Sequence, residues 1–588
     1  MTTLDPVTFS VLWGGLLSAA SEMGVTLSRT AYSAAVREGL DYSTALFDAD
    51  GLMIAQGDYS PGHLGSMAFT VRKVLEIYPR ETMKPGDAIL LNDSGIGSGH
   101  LPDFFMISPI HFDNALIGFA VNCAHHVDVG GSGAGSQVIQ GIQDNYQEGI
   151  RFLPTRCYAG GEPIADIFRV IAANVRQPEK VIGDLRAQVN ANTTGARRMV
   201  ELALVHGLAA LQGAMAEILA RSEVQMRAAI SRIPAGVYSF EDCLDDVGPG
   251  TEPVVAKVTV TVADGTITVD WAGSGPQREA GLNSYLHYTY AYTIAAVKSV
   301  TLPTAPQNDG VIRTIQIKAP EGSFFNPRRP AACGGRATIS HRIYEVVLGA
   351  LAQAVPDRVM AANSHFFNPN LGGVDPRTGK QFVCYELIIG GIGGRPGKDG
   401  EEALASPWNA ANIPIEIQES SNPILVERFG FIADSGGPGR QRGGCGLRKD
   451  MRVLADRVDF YNLGDRALFA PYGLFDGLPG TKAATLLDPG AKGQRRLHSK
   501  GSYRLKRDQV ISWRTAGAGG YGDPLERPVA LVERDVKSGF VTIPRARTDY
   551  GVVINPKTLA VDGTRTDALR LKRRKARSKP RQRETARA

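Results

Sequence analysis

The sequence predicts a mixed α+β fold: a large multi-layer body with an N-terminal α/β region built around a hairpin, central helices, and a strand-rich C-terminal part. Three observations predict it. The 588 residues suffice for several domains of ~100–200 residues, or for one large body with a sizeable core. Apolar residues recur at helical spacing near the N-terminus and again between about 177 and 233. From about 375 to 522 the chain alternates strand-like runs with Gly/Pro-rich loops.

Residues 5–37 read as helical. Asp5 supplies an N-cap and Pro6 the first helical position, Phe9, Leu12, Leu16 and Leu17 recur at near-helical spacing, and a glycine, Gly39, stops the pattern. A hairpin follows in "STALFDADGLMIAQG", with Asp48-Ala49-Asp50-Gly51 between its apolar runs and Asp41 where the first strand begins. "TVRKVLEIYP" is a second amphipathic helix, and "DAILLN" is a strand that empties into the glycine-rich "DSGIGSGH". A second hairpin spans 99–131. Residues 177–233 are then helical and rich in Ala and Leu, 236–320 turn to strands around an Asp264-Gly265 turn, 335–355 return to helix, and a last helix falls near 526–537. No fixed-period repeat appears. The expected divisions are 1–235, an α/β region; 236–375, mixed strand and helix; 376–553, strand and loop; and 554–588, a basic tail without order.

Composition narrows the class. Hydrophobic residues make up 43% and charged residues 21%, the balance of a soluble globular protein. No apolar run approaches the ~18 residues of a membrane-spanning helix, and the N-terminus lacks a signal-peptide pattern, so no membrane association is expected. Cys123, Cys157, Cys243, Cys333, Cys384 and Cys445 have no short spacings, which excludes a disulfide framework or a CxxC zinc site and suggests the cytoplasm. The formal charge of +6 is uneven: residues 570–588 carry a net +9 and the other 569 residues −3. A block this charged reads as a solvated tail, with a contact to nucleic acid or an acidic partner as the alternative, and nothing in the body suggests nucleic-acid binding.

The hairpin at 99–131 concentrates chemistry. With Asp113-Asn114 as a two-residue turn, residue numbers summing to 227 pair, so 102 faces 125 and 103 faces 124. His100, Asp103, His125 and His126 then fall at its open end. Strand neighbours point to opposite faces, so one of His125 and His126 belongs to a ligand set and the other stands behind it. Imidazoles with carboxylates suit zinc, manganese or ferrous iron, and Gly95, Gly97 and Gly99 let the loop carrying His100 approach closely. The competing reading is hydrogen-bonded strand-end histidines beside a core, the role expected of His63, His111, His206, His287, His341, His365 and His498.

The blocks "LDYSTALFDADGLMIAQG", "SGHLPDFFMISPI", "AHHVDVGG", "QEGIRFLP", "PTAPQNDGVIR", "DSGGPGRQRGGCGLRKDMRV", "AGAGGYGDP" and "ARTDYGVV" resemble, in order, the signatures of the hydantoinase B/oxoprolinase family. That family is the metal-bearing subunit of ATP-dependent hydantoinases, lactamases and ketone carboxylases. The resemblance covers about residues 5–553. It places the family's metal pattern on Asp41, His100, Asp103 and His125, with His126 and Asp128 alongside as groups that move a proton. One departure stands out. The family reads roughly Asn-Asp-Pro-x-x-Gly-Gly-Thr-His, whereas "NDSGIGSGH" has Ser94 for the proline and Gly99 for the threonine, which bears on the loop's shape and on substrate preference.

The resemblance implies one divalent ion, zinc or manganese ahead of iron, and a hetero-oligomer with a hydantoinase A-type subunit of ATPase fold, which uses the ATP. It implies opening of a small cyclic amide, a hydantoin, 5-oxoproline or a lactam, after that partner phosphorylates the ring carbonyl. The alternatives are a subunit of an ATP-dependent ketone carboxylase and a non-catalytic scaffold subunit. The chain has no Walker A loop, since "GGSGAG" lacks the Gly-Lys-Ser/Thr ending. "GAGGYGDP" has dinucleotide-motif glycine spacing, but Asp523-Pro524 caps a new helix where one should already run, so it reads as a glycine turn. Cys123 reads as a small buried hydrophobe, and the arginines of "RQRGGCGLRKD" as a solvated loop or an anion contact.

Overall fold

The computed structural model describes residues 4–97, 99–404 and 406–577. Helix α1 (Pro6–Thr30) starts where Asp5 accepts hydrogen bonds from the Val7 and Thr8 amides. It buries Leu12, Leu16, Met23 and Leu27 completely, each worth about 1.5–3 kcal/mol of apolar burial. A short α2 (Ala34–Arg37) completes the helical stretch expected over 5–37.

A seven-stranded sheet follows, built from β1 (Tyr42–Asp48), β2 (Met53–Gln56), β3 (Ala88–Leu91), β4 (Asp103–Phe112), β5 (Ala115–His125), β6 (Thr155–Ala159) and β7 (Glu162–Pro163), in the order β2-β1-β5-β4-β3-β6-β7. Its helices are α3 (Pro61–Ile77), α4 (Ala165–Asn174), α5 (Pro178–His206) and α6 (Leu208–Ile230). α1, α5 and α6 form one layer against the sheet, sharing a core with Leu46, Ala120 and Ala124. On the other face lies α3, and with it α7 (Leu286–Thr301), which packs in turn on α9 (Ser340–Leu351); α8 (Asp309–Ile312) lies against α6. Beneath α9 is a four-stranded sheet, β11-β10-β9-β8, formed by Gly236–Leu244, Val254–Ala263, Thr266–Asp270 and Ile315–Lys318 in chain order. Helix, sheet, helix and sheet thus stack as layers, and the largest apolar cluster spans residues from Ala35 to Leu463.

The C-terminal part is a sandwich. One sheet contains β13 (Asn370–Val374) and β14 (Gln381–Tyr385), which follow the two-residue β12 (Phe366–Phe367). The other contains Leu447–Val453 and Val510–Arg514, and the two share a core of Leu371, Phe460, Met451 and Trp513. In sequence α10 (Ile415–Ser421) lies between the strands of the two sheets. The "GAGGYGDP" glycines serve packing, since a Cβ on Gly519 would stand 1.9 Å from the Tyr472 carbonyl.

Two expectations change. The strand region 236–320 contains α7, whose buried face includes Tyr288, Thr289, Tyr292, Thr293 and Val297. Burial so extensive erases the amphipathic signal, and β-branched and aromatic residues then imitate strand. Within the tail, for which the sequence predicts no order from 554, Gly563–Arg577 is helical. Arg570 secures it by donating to the carbonyls of Tyr550 and Arg527, at 3.0 and 2.8 Å. The rest of the tail, 578–588, lies outside the described residues. No single helix among the described residues is long and apolar enough to cross a membrane.

Candidate metal centre

Asp113 and Asn114 adopt φ of 48° and 65°, the left-handed pair of a two-residue hairpin turn. Beside the turn the pairs are His111 with Leu116 and Phe112 with Ala115, the register expected from the sequence. A bulge between Ile110 and His111 then shifts the ladder by one residue, so Asp103 pairs with His125 rather than with Ala124. Because the side-chain period is two, this single step sets Asp103 and His125 on the same face. His125 donates its amide to the Asp41 carbonyl at 3.0 Å, and His126 to that of Pro102 at 2.8 Å, so backbone bonds align three site-bearing segments.

His100, Asp103 and His125 each bring a ligand atom within 4.8 Å of the others, and all three are buried. His100 Nε2 lies 2.8 Å from Asp103 Oδ1, and His125 Nδ1 lies 3.0 Å from the same oxygen. Asp41 stands at the rim: its Oδ2 accepts from the Tyr385 hydroxyl at 3.0 Å, and its Oδ1 has no hydrogen-bond partner. His125 Nε2 is likewise buried without a partner.

The donor chemistry fits a cation. His100 Nδ1 lies 3.0 Å from the Gly334 carbonyl, which only accepts, so Nδ1 carries the proton. In neutral His100, Nε2 is then a lone pair aimed at a carboxylate oxygen 2.8 Å away. Burial, reinforced by Arg336, lowers the His100 pKa to about 4, so the ring is neutral at pH 7. A divalent ion held by these donors would remove that conflict. Burial raises the Asp103 carboxyl, but Arg336 in contact with it, with His63 beside it, outweighs that and holds the group well below the usual carboxylate range. Both donors are therefore in their ligating states at neutral pH.

Sequence reasoning missed four contributors. His63, expected to be a structural histidine, sits in the first turn of α3 with Nε2 at 3.2 Å from Asp103 Oδ2 and 3.9 Å from Asp41 Oδ1. Together with Asp103 and Cys123 it forms a second group of metal-binding geometry. Arg336 pairs with Asp103 and lies 4.0 Å over the Tyr288 ring, and Tyr385 reaches Asp41 from β14. Arg336, Tyr288 and Tyr385 are brought in by tertiary packing alone, with no local signal; for His63 the one hint was a histidine just inside a helix that opens on Pro61.

His126 and Asp128, expected to move the proton, are not brought to the centre. His126 faces α5, as the alternation of β5 requires: like Asn122 on the same side, it bonds Gln188, with Nε2 3.0 Å from Oε1. Asp128 is consumed by its loop, accepting from the amides of Gly130, Gly135 and Arg176 and from the Arg176 guanidinium at 2.8 Å. The altered glycine also has a structural reason: Gly99 has φ of +95°, and a Cβ there would meet Tyr288 Cβ at 3.3 Å, which a threonine tolerates poorly.

Comparison with known proteins adds the family. The hydantoinase B/oxoprolinase profile matches residues 5–524. A protein of Pseudomonas sp. (strain NS671) assigned as the B-type component of a D-/L-hydantoinase is 33% identical over 96% of this chain and 98% of its own length. The beta chain of caprolactamase from Pseudomonas jessenii is 31% identical over 94% of this chain and 97% of its own. The crystal structure of ATP-dependent caprolactamase from that organism has a TM-score of 0.89 and 29% identity, covering 97% of this chain and 100% of that one.

Proposed function

The chain belongs to the hydantoinase B/oxoprolinase family, and from that premise we propose that it is the metal-bearing subunit of an ATP-dependent hydrolase that opens a hydantoin, 5-oxoproline or a lactam. The observation that carries the reading is the convergence of His100, Asp103 and His125, with Asp41 unsatisfied beside them, in a closed polar centre.

Asp41, His100, Asp103 and His125 would hold the ion. Their N/O set suits zinc or manganese, then iron. Such an ion lowers the pKa of water toward ~7 and so supplies hydroxide character at neutral pH. Around it, Tyr385 orients Asp41, Arg336 and His63 fix Asp103, and the Gly334 carbonyl holds the His100 tautomer. Among the described residues, His63 is the imidazole outside this ligand set closest to both carboxylates, and it replaces His126 as the group that holds a proton, at Nε2.

A ring amide resists water because resonance keeps its carbon a poor electrophile. The chain has no phosphate-binding loop of Walker type, so a partner of ATPase fold would phosphorylate the carbonyl oxygen. Water then adds to the activated carbon, the C–N bond breaks with its electron pair going to nitrogen, which takes up a proton, and a second water displaces phosphate from the acyl phosphate that remains, leaving the carboxylate. The hydantoinase and caprolactamase relatives are each named as one component of a larger enzyme, which supports a hetero-oligomer. All six cysteines are free thiols, which supports the cytoplasm.

The test is the complex purified with its ATPase partner, given ATP and a lactam, with ring-opened product and phosphate release measured together. ATP-dependent ring opening that needs both proteins is expected. Incorporation of labelled bicarbonate into a ketone, without ring opening, would replace the hydrolase by the carboxylase alternative.

A further inference from the structure

The centre itself is closed: Asp41, His63, His100 and His125 are each 2% exposed and Asp103 1%. A cavity of about 140 Å³ lies immediately behind one of its walls. Tyr385 forms that wall, since it lines the cavity, packs its ring 4.7 Å from that of His125 and donates to Asp41. The volume is well under the ~300–1,000 Å³ of a drug-sized site, so its occupant is small.

The lining is chemically specific. Arg37 and Lys180 supply two cations against one acid, Glu38, which pairs with Arg37 at 3.9 Å. Lys180, in the first turn of α5, is half-buried, and its ammonium has no ion pair or hydrogen bond among the described residues. Burial lowers its pKa even though the Asp184 carboxylate nearby favours the charged form, the sign of an ammonium short of solvent. Asn422, which ends α10, is 3% exposed, yet its Oδ1 accepts from nothing. A buried acceptor without a donor is costly, a penalty that a ligand N–H relieves.

We propose that this cavity binds the substrate and that the substrate is an anionic cyclic amide, whose carboxylate or phosphoryl oxygen meets Lys180 and whose ring N–H donates to Asn422 Oδ1. The proposal rests on the ring-opening reading and names its substrate class. Tyr385 then stands between the bound ring and Asp41, at the entrance to the metal centre.

The test uses the metal-loaded complex with its partner and two lactams that differ by one group: 5-oxoproline, which carries a carboxylate, and 2-pyrrolidinone, which does not. Calorimetry should show 5-oxoproline binding at least about tenfold tighter, the equivalent of one charged hydrogen bond. Lys180→Met should erase that preference and Lys180→Arg should restore it, while Asn422→Leu weakens both lactams. Inorganic phosphate separates the two anion sources: a Lys180-dependent phosphate site with no preference for 5-oxoproline assigns the pocket to a phosphoryl group. Equal affinity for both lactams with no phosphate binding overturns the proposal, as does a preference that persists in Lys180→Met. Should Lys180→Met lose its circular dichroism spectrum, Lys180→Gln is read by the same criteria. Ring opening is scored separately. Lys180-dependent binding without turnover keeps the pocket and removes the hydrolase reading, whereas turnover of both lactams independent of Lys180 does the reverse.

Discussion

Two buried clusters in this protein are made from the same residue types and behave differently. In the hairpin centre, three histidines and two aspartates share one guanidinium, that of Arg336, and leave Asp41 Oδ1 and His125 Nε2 without hydrogen-bond partners. In the second cluster, beneath α9, six charges alternate: Glu345 with Arg466, Arg466 with Asp242 at 3.1 Å, Asp242 with Arg342, Arg342 with Asp465 at 2.7 Å, and Asp465 with Lys500 at 2.8 Å. His365 joins through Glu345 at 3.0 Å and stacks 4.5 Å from His341, but its cluster forms no group of metal-binding geometry among the described residues. Histidines beside carboxylates are therefore not a metal signature by themselves. What separates the clusters is counter-charge. Where arginine and lysine alternate with the carboxylates, each carboxylate of that series meets a cation; where they do not, imidazole and carboxylate donors converge in the arrangement a cation would use.

The largest expected effect attacks the complete cluster. Arg342→Met leaves Asp242 and Asp465 short of a cation in a buried site, so a loss of about 3–5 kcal/mol of unfolding free energy is expected, read from denaturant midpoints with an unchanged slope. A stability equal to wild type would mean that the alternation is ornamental and the comparison fails. Next come His100→Ala and His125→Ala. Each should drop metal content from about one ion per chain toward none while the circular dichroism spectrum persists, because a ligand is lost but little core is. His126→Ala should keep its metal, since His126 faces Gln188; metal loss from that variant, with retention in His125→Ala, would reverse the assignment of the two neighbours.

A smaller effect sharpens the contrast. Tyr385→Phe removes one donor to Asp41 without changing the ring, and metal affinity should fall by about 10- to 100-fold, measured by competition with a chelator. The smallest concerns Glu148, which accepts from the Cys333 amide at 2.7 Å and from that of Gly334, the residue whose carbonyl orients His100. Burial raises its pKa from 4.5 to about 8. Between those values the folded chain holds a proton that the unfolded chain has released, so this group makes stability fall as pH rises through the window and level off above it. Glu148→Gln should flatten that slope in the metal-free protein, as urea midpoints across the window will report; an unchanged slope would assign it to other groups.

Much of this was legible in the sequence, and what was missed has a common cause. Helices α1, α5 and α6, the hairpins and the position of Asp103 and His125 at one hairpin's open end follow from local periodicity and turn chemistry. The facing of Asp103 and His125 did not, because the bulge at Ile110 and His111 has no local sequence signature, while moving a ladder by one residue reverses every side chain. His63, Arg336 and Tyr385 escaped for another reason. Each meets the hairpin through packing between segments that are distant in sequence, and neither period nor spacing encodes such contacts. The α7 segment failed by burial, which removes the polar face that marks a helix.

The reach of Tyr385 also sets a timetable. Asp41 and its partner hydroxyl are 344 residues apart, and Asp103 and Arg336 are 233 apart. On a ribosome adding roughly 5–20 residues per second, the 260 residues between His125 and Tyr385 take on the order of 13–52 s. Throughout that interval the nascent chain already displays both histidines and both aspartates, while the tyrosine that closes the wall has not been synthesised. The final geometry of this centre is thus a late event in the birth of this protein. An ion taken up earlier would meet a more open, less selective set of ligands.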